Sequence, residues 1–212
     1  APADIRKEGS AFDLPMALAL LAASHQMPRD GFSETVILGE LALDGSVRPV
    51  AGVLPIALSL RGKGKRLLLP TANVPEAAWV AGLSVYPIEH LNQAVAFLKG
   101  EETIPALTLT AENWRKGESC EKLDFAEFKG QLLAKRAIEI AAAGGHNLLL
   151  FGPPGAGKTM LAQRIPSILP PLSLSEALET TAVYSAAGLL GERPELLSHR
   201  PFRSPHHTIS DA

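Results

Sequence analysis

Cysteine is nearly absent from this 212-residue chain: Cys120 stands alone, which excludes an internal disulfide and any zinc site built from several thiolates. Aromatic residues make up only 5% of a chain that is 46% hydrophobic, a balance that suits α/β packing of aliphatic side chains. Neither sign of charge prevails. With 20 basic and 22 acidic residues the formal charge is −2, so the chain as a whole is no electrostatic nucleic-acid binder and any polyanion contact has to be local. Long apolar runs are missing too. The longest, Leu14 to Ala23, is ten residues and contains Pro15, too short to cross a bilayer. No basic-then-apolar secretory signal opens the chain, so a soluble, cytoplasmic protein without a membrane partner is expected. The first residue is alanine and apolar patterning begins almost at once, so a piece of a longer protein is expected.

What is present is a complete phosphate-loop pattern. Gly152-Pro153-Pro154-Gly155-Ala156-Gly157-Lys158-Thr159 matches G-x-x-x-x-G-K-[ST] at every fixed position. Its flanks read correctly, with Asn147 to Phe151 as a short buried strand and Lys158 to Arg164 as a helix that Pro166 ends. Glycines let the backbone bend around phosphates and aim successive N–H groups inward. Lys158 then supplies a cation for the β- and γ-phosphates, and the Thr159 hydroxyl a ligand for Mg²⁺. ATP with Mg²⁺ is therefore the expected ligand. The plain alternative is a glycine-rich turn that binds nothing.

The rest of the chain alternates helix and strand. Residues 13–25 read as a buried helix with Asp13 at its start and Met16, Leu18, Leu20 and Leu21 in its body. A strand over Thr35 to Leu43, a turn at Asp44-Gly45 and an extended Val47 to Val50 follow, then a helix from Val53 to Leu60. Arg66 to Pro70 and Leu83 to Pro87 read as strands, and His90 to Lys99 as a helix. Between them, Val74 to Ala81 reads as a helix opened by an Asn73/Glu76 capping box. The fold class is α/β, with a first domain over 1–100, a polar linker over 101–122 and a second domain over 123–212. In the last of these, Phe128 to Ala143 reads as an amphipathic helix carrying Leu132, Leu133, Ile138 and Ile140, and Ser173/Glu176 as a capping box for a helix reaching Ala187.

Four segments resemble one family. Asp124 to Gln131 with Ala134 to Ala137 resembles the stretch that closes over the adenine in AAA+ ATPases. Ala141 to Asn147, together with Arg200 to Ser210, resembles the magnesium-chelatase-like family, in its competence-protein branch. Arg6 to Pro15 resembles part of the Lon-like domain that precedes the ATPase in that branch. The resemblance implies a Lon-like α/β domain followed by the start of an αβα P-loop (AAA+) domain, and adenine packing by Phe128, Lys129 and Gly130, although Phe128 could equally be a core residue. For the whole protein it implies a hexameric, ring-forming ATPase that drives branch migration of DNA in recombination and natural transformation. The rivals are a chelatase subunit driving Mg²⁺ insertion into a porphyrin and a nucleotide-binding assembly module without turnover. The acidic strand, arginine finger and sensors of AAA+ hydrolysis have no counterpart in these residues, so no catalytic residue is assigned and the module reading is preferred for the chain itself.

True Lon proteases use a Ser-Lys dyad, and here alignment puts Ala11 at the nucleophile and Leu54 at the base. Without those two groups no activated attack is available. Ser10, one place off, is the only refuge for a peptidase. Near the far end, Arg200-Pro201-Phe202-Arg203-Ser204-Pro205-His206-His207 reads as a projecting segment that grips nucleic acid or makes a subunit or interdomain contact. A metal at His199, His206 and His207 is not expected, since adjacent histidines point apart on a strand. Arg61, Lys63, Lys65 and Arg66 form the local basic patch of the first domain, a solvated loop or a DNA contact.

Overall fold

Short aliphatic runs separated by helical stretches call for a parallel sheet covered on both faces. The computed structural model, which describes residues 10–107, 123–191 and 195–204, contains one. The chain divides into two compact units, Ala1–Trp114 with Leu178–Leu196, and Arg115–Ala177 with Leu197–Ala212.

In chain order the first unit holds α1 (Asp13–Ala23), β1 (Thr35–Ile37), β2 (Glu40–Leu41), β3 (Val47–Arg48), α2 (Val53–Leu60), β4 (Arg66–Pro70), α3 (Val74–Ala77), β5 (Ser84–Ile88) and α4 (Leu91–Lys99). Strand β4 is central, parallel to β1 with Ile37 opposite Leu68 and parallel to β5 with Leu68 opposite Tyr86. Leu67, Leu68 and Leu69 are all fully buried. Side chains alternate across a strand, so Leu68 joins Leu14, Leu18, Ile37, Ile88, Ala94 and Leu98 on one face while its two neighbours pack on the other. Each such leucine contributes about 1.5–3 kcal/mol of burial.

The helix α1 buries one stripe only, Leu14, Leu18 and Ala22, one turn apart. Of the body expected to be buried, Met16 and Leu20 are 43% and 70% exposed, because a surface helix turns just one face to its core. The long strand expected over Thr35 to Leu43 breaks after Ile37. There the backbone leaves the sheet to meet the start of α1: the Gly39 amide donates to the Ala11 carbonyl and the Leu14 amide to the Gly39 carbonyl, both at 3.0 Å. The expected Asn73/Glu76 capping box does not form either. Asn73 Oδ1 accepts from the Val50 amide at 3.0 Å, and Glu76 Oε1 accepts from the Leu54 amide at 2.8 Å and from the Ser185 hydroxyl. Glu76 thus caps α2 from outside, and α3 ends at Ala77 after a 3₁₀ turn over Thr71–Asn73. Ile104 and Leu107, in the stretch read as linker, pack onto this unit, with Leu107 bridged to Val85 by two backbone hydrogen bonds.

The second unit contains α5 (Leu132–Gly144) and α6 (Lys158–Ala162), a 3₁₀ turn at Phe125–Glu127 and another at Ile165–Ile168, and the start of α7 (Leu174–Ala186). Among its described residues Phe125, Phe128, Ile138 and Leu161 form a buried cluster, with Leu150, Ile165 and Ile168 packed against it. The Ser173/Glu176 capping box opens α7 as expected, with the Glu176 amide donating to Ser173 Oγ and the Ser173 amide to Glu176 Oε2. The strand expected at Asn147–Phe151 is absent, and Leu149 and Phe151 are 89% and 98% exposed. A strand exists through its pairing, and among the described residues no neighbour pairs with this stretch. For the same reason α5 buries only Ile138, leaving Leu132 and Leu133 at the surface.

Candidate functional site

The phosphate-loop residues 152–159 run from the 146–151 stretch, unpaired among the described residues, into the first turn of α6. Gly155 and Gly157 adopt φ 78° and 79°, the left-handed region that a Cβ disfavours. A Cβ at Gly155 would meet open space, whereas one at Gly157 would press to 3.1 Å on the Phe128 ring. Pro153 and Pro154 carry no amide hydrogen, and the Ala156 amide donates to the Pro153 carbonyl at 3.3 Å. The amides of Gly155, Gly157, Lys158 and Thr159 have no acceptor among the described residues, the last two because they open a helix. Lys158 Nζ donates to the carbonyls of Gly152 and Pro153, 2.8 Å each, so the ammonium closes the loop on itself. The Thr159 side chain is exposed. Backbone amides without an acceptor among the described residues, an ammonium and an exposed threonine are the donor and ligand types that a Mg²⁺-bound polyphosphate takes.

Of the residues expected near the adenine, Phe128 is 6% exposed and packs with Phe125, Ile138 and Leu161 beneath the loop, while Lys129 and Gly130 are at the surface. The Lys135 ammonium lies 5.5 Å and 6.0 Å from the Phe125 and Phe128 ring centres, a cation–π arrangement that ties α5 to this corner.

Two residues of this corner were not singled out by motif. Gln131 precedes α5 at φ 47° and ψ 51°, a conformation that costs a residue with a Cβ on the order of 1 kcal/mol. Its Nε2 donates to the Ala156 carbonyl at 2.6 Å. Arg164 is 7% exposed: Nη1 donates to the Met160 carbonyl at 3.1 Å and Nη2 to Glu127 at 3.4 Å, while Nε has no partner among the described residues. Gln131 ends the segment whose resemblance implied closure over the adenine, but neither residue type marks a contact to the loop.

Elsewhere the expected residues are dispersed. Arg200 is committed within its own unit, donating to Glu176 Oε1 at 2.7 Å and to the Pro170 carbonyl at 3.3 Å. The Ser173 amide, then Arg200, then the Ser173 hydroxyl hold the Glu176 pKa down at about 2. Phe202 and Arg203 are exposed. His206, His207, Cys120, Arg6–Gly9 and residues 108–122 lie outside the described residues. No group of His, Cys, Asp or Glu able to hold a metal ion occurs among the described residues. In the basic patch, Lys65 donates to the Ser33 carbonyl and Arg66 stacks on Phe97, leaving Arg61 and Lys63 exposed. At the dyad positions, Ala11 sits in a 3₁₀ turn and Leu54 is fully buried in α2.

Comparison with known proteins adds a lineage to this geometry. Residues 124–212 match the family model for magnesium chelatase, subunit ChlI, and residues 1–73 match that for subunit ChlI of Mg-chelatase. Competence protein ComM of Haemophilus influenzae is 42% identical over 215 residues, covering 99% of this chain and 41% of ComM. The chain belongs to the magnesium-chelatase-like family of ComM and YifB. Within it, YifB of Escherichia coli is 42% identical over 210 residues, covering 99% of this chain and 40% of that protein. An uncharacterized protein of Mycobacterium tuberculosis is 44% identical over 212 residues, all of this chain and 41% of the relative. The chain thus spans about two fifths of the length of these family members. No helix among its described residues is long and apolar enough to cross a membrane.

Proposed function

We propose that this chain is the ATP-binding portion of a ComM-type AAA+ ATPase, holding ATP with Mg²⁺ at Gly152 to Thr159. The observation that carries the reading is the set of amides at Gly155, Gly157, Lys158 and Thr159 that have no acceptor among the described residues, beside an ammonium that donates to two loop carbonyls. In this role Lys158 exchanges those carbonyls for phosphate oxygens, a charge-assisted contact stronger than the neutral one it leaves. Thr159 supplies a hydroxyl to the metal, and the backbone of the Phe128, Lys129 and Gly130 stretch sits at the base side. Mg²⁺, when bound, neutralises phosphate charge. The loop orients the triphosphate. No residue here is assigned to activate water, so the chain binds and positions without turning over by itself.

If the reading is right, the grip is on phosphates. Equilibrium titration with Mg·ATP, Mg·ADP and AMP then gives falling affinity in that order, with AMP weaker than Mg·ATP by at least about tenfold, one charge-assisted hydrogen bond or more. Equal affinity for all three would sink the assignment.

For the whole protein the proposal is a homo-oligomeric, cytoplasmic motor on branched DNA, with a first unit that is Lon-like in fold and lacks the peptidase dyad. Similarity to competence protein ComM across both units supports it over a chelatase subunit. Forked DNA shifted by the full-length protein, less so at high salt, is the expected result; no shift at low salt would count against it.

A further inference from the structure

A phosphate loop works only if its peptide units face the right way, and one of them is held from outside. The Ala156 carbonyl and the Gly157 amide belong to one planar trans peptide, so they point in opposite directions. Fixing the carbonyl fixes the amide. Gln131 Nε2 donates to that carbonyl at 2.6 Å, and Gly157 N–H is one of the donors without an acceptor among the described residues. The restraint is needed at this point because Gly157, at φ 79°, lacks the Cβ that would otherwise bias its backbone.

Three features show that Gln131 is placed for this contact. It occupies the left-handed region at φ 47°, which glutamine does not favour and which persists where surroundings over-determine it. It directly precedes α5, whose first carbonyl bond, from the Lys135 amide to the Gln131 carbonyl at 3.0 Å, anchors its backbone. Phe128, three residues earlier, packs against the glycine of the same peptide, its ring atoms 3.1 Å and 3.2 Å from where a Gly157 Cβ would stand. The 128–131 stretch therefore meets the last turn of the loop with a ring against Gly157 and a hydrogen bond to Ala156.

We propose that Gln131 is a positioning residue for phosphate binding: by holding the Ala156 carbonyl it turns the Gly157 amide toward the bound phosphates. The inference rests on the phosphate-loop reading above. It places the effect of Gln131 on the phosphates and not on the base, although its segment neighbours the expected base site.

The test uses two ligands, Mg·ATP and Mg·tripolyphosphate, and two variants, Gln131→Gly and Gln131→Asn. Glycine and asparagine both suit a left-handed backbone, so neither strains the fold; glycine has no donor, and the asparagine amide is one methylene too short to reach. Both variants are expected to bind both ligands about three- to tenfold more weakly, by the same factor for each, with thermal midpoints at or above that of the parent chain. Unchanged affinity in Gln131→Gly would overturn the proposal, as would a loss confined to Mg·ATP, which would move the residue's role to the base. If the parent chain binds neither ligand, the phosphate-loop reading falls and this proposal with it; if it binds both and the variants match it, only the proposal falls.

Discussion

Two triple-leucine runs in this chain have opposite fates. Leu67-Leu68-Leu69 forms the middle of a parallel sheet, paired on both edges and fully buried. Leu148-Leu149-Leu150 pairs with nothing among the described residues, and Leu149 is 89% exposed. The sequences are near twins. What separates them is supply: β1 and β5 present backbone partners to the first run, and α1 and α4 contribute the leucines and alanine that pack on Leu68, whereas the second run finds no strand partner among the described residues and only its Leu150 packs against the Phe125, Phe128, Ile138 and Leu161 cluster. Aliphatic run and β propensity set what a segment is able to become, and neighbours decide whether it does.

The sharpest way to break this comparison is to shorten one leucine in each run. Leu68→Ala is expected to destabilise the first unit by about 2–5 kcal/mol, while Leu149→Ala should fall within about ±0.5 kcal/mol. Denaturant unfolding followed on each unit reads both, and comparable losses would show that the second run is buried in solution. Next in size is Glu76→Ala, which leaves the Leu54 amide and the Ser185 hydroxyl without their acceptor and should cost about 1–3 kcal/mol. A cost near zero would return Glu76 to the local cap that its spacing from Asn73 first implied.

The smallest effect is electrostatic and belongs to the second unit. Glu176 has its folded pKa depressed from 4.5 to about 2, so its contribution to stability is present above the unfolded value and is lost as pH falls from about 4.5 through about 2. Because the carboxylate is exposed, the effect is screened and small. Arg200→Ala should raise the Glu176 pKa toward its ordinary value without reaching it, since the Ser173 amide remains the leading cause. A carboxyl NMR titration decides it, and an unchanged midpoint would remove Arg200 from the account.

The same contrast explains how much of the molecule was legible. Elements whose signals are local were read within a residue or two: α2, β4, β5, α4 and the Ser173/Glu176 box. Features made by distant partners were not. Glu76 and Asn73 have capping-box spacing, but their acceptors serve Val50 and Leu54, more than twenty positions back, and the Ser185 hydroxyl, 109 positions on. Leu20 reads as core until the helix shows which stripe faces inward. At the candidate site, the loop itself was plain from glycine, lysine and threonine spacing, since that chemistry is sequential. Gln131 was not, because its role comes from a backbone conformation and a contact across 25 residues that no residue type announces.

The central claim is that Lys158 and the open amides beside it hold a triphosphate. Calorimetric titration of Mg·ATP into the parent chain and into Lys158→Ala tests it most directly. The account predicts binding to the parent chain and a loss of about 10- to 100-fold on removing the ammonium, the worth of a charge-assisted hydrogen bond. Equal affinity in the two proteins would contradict it.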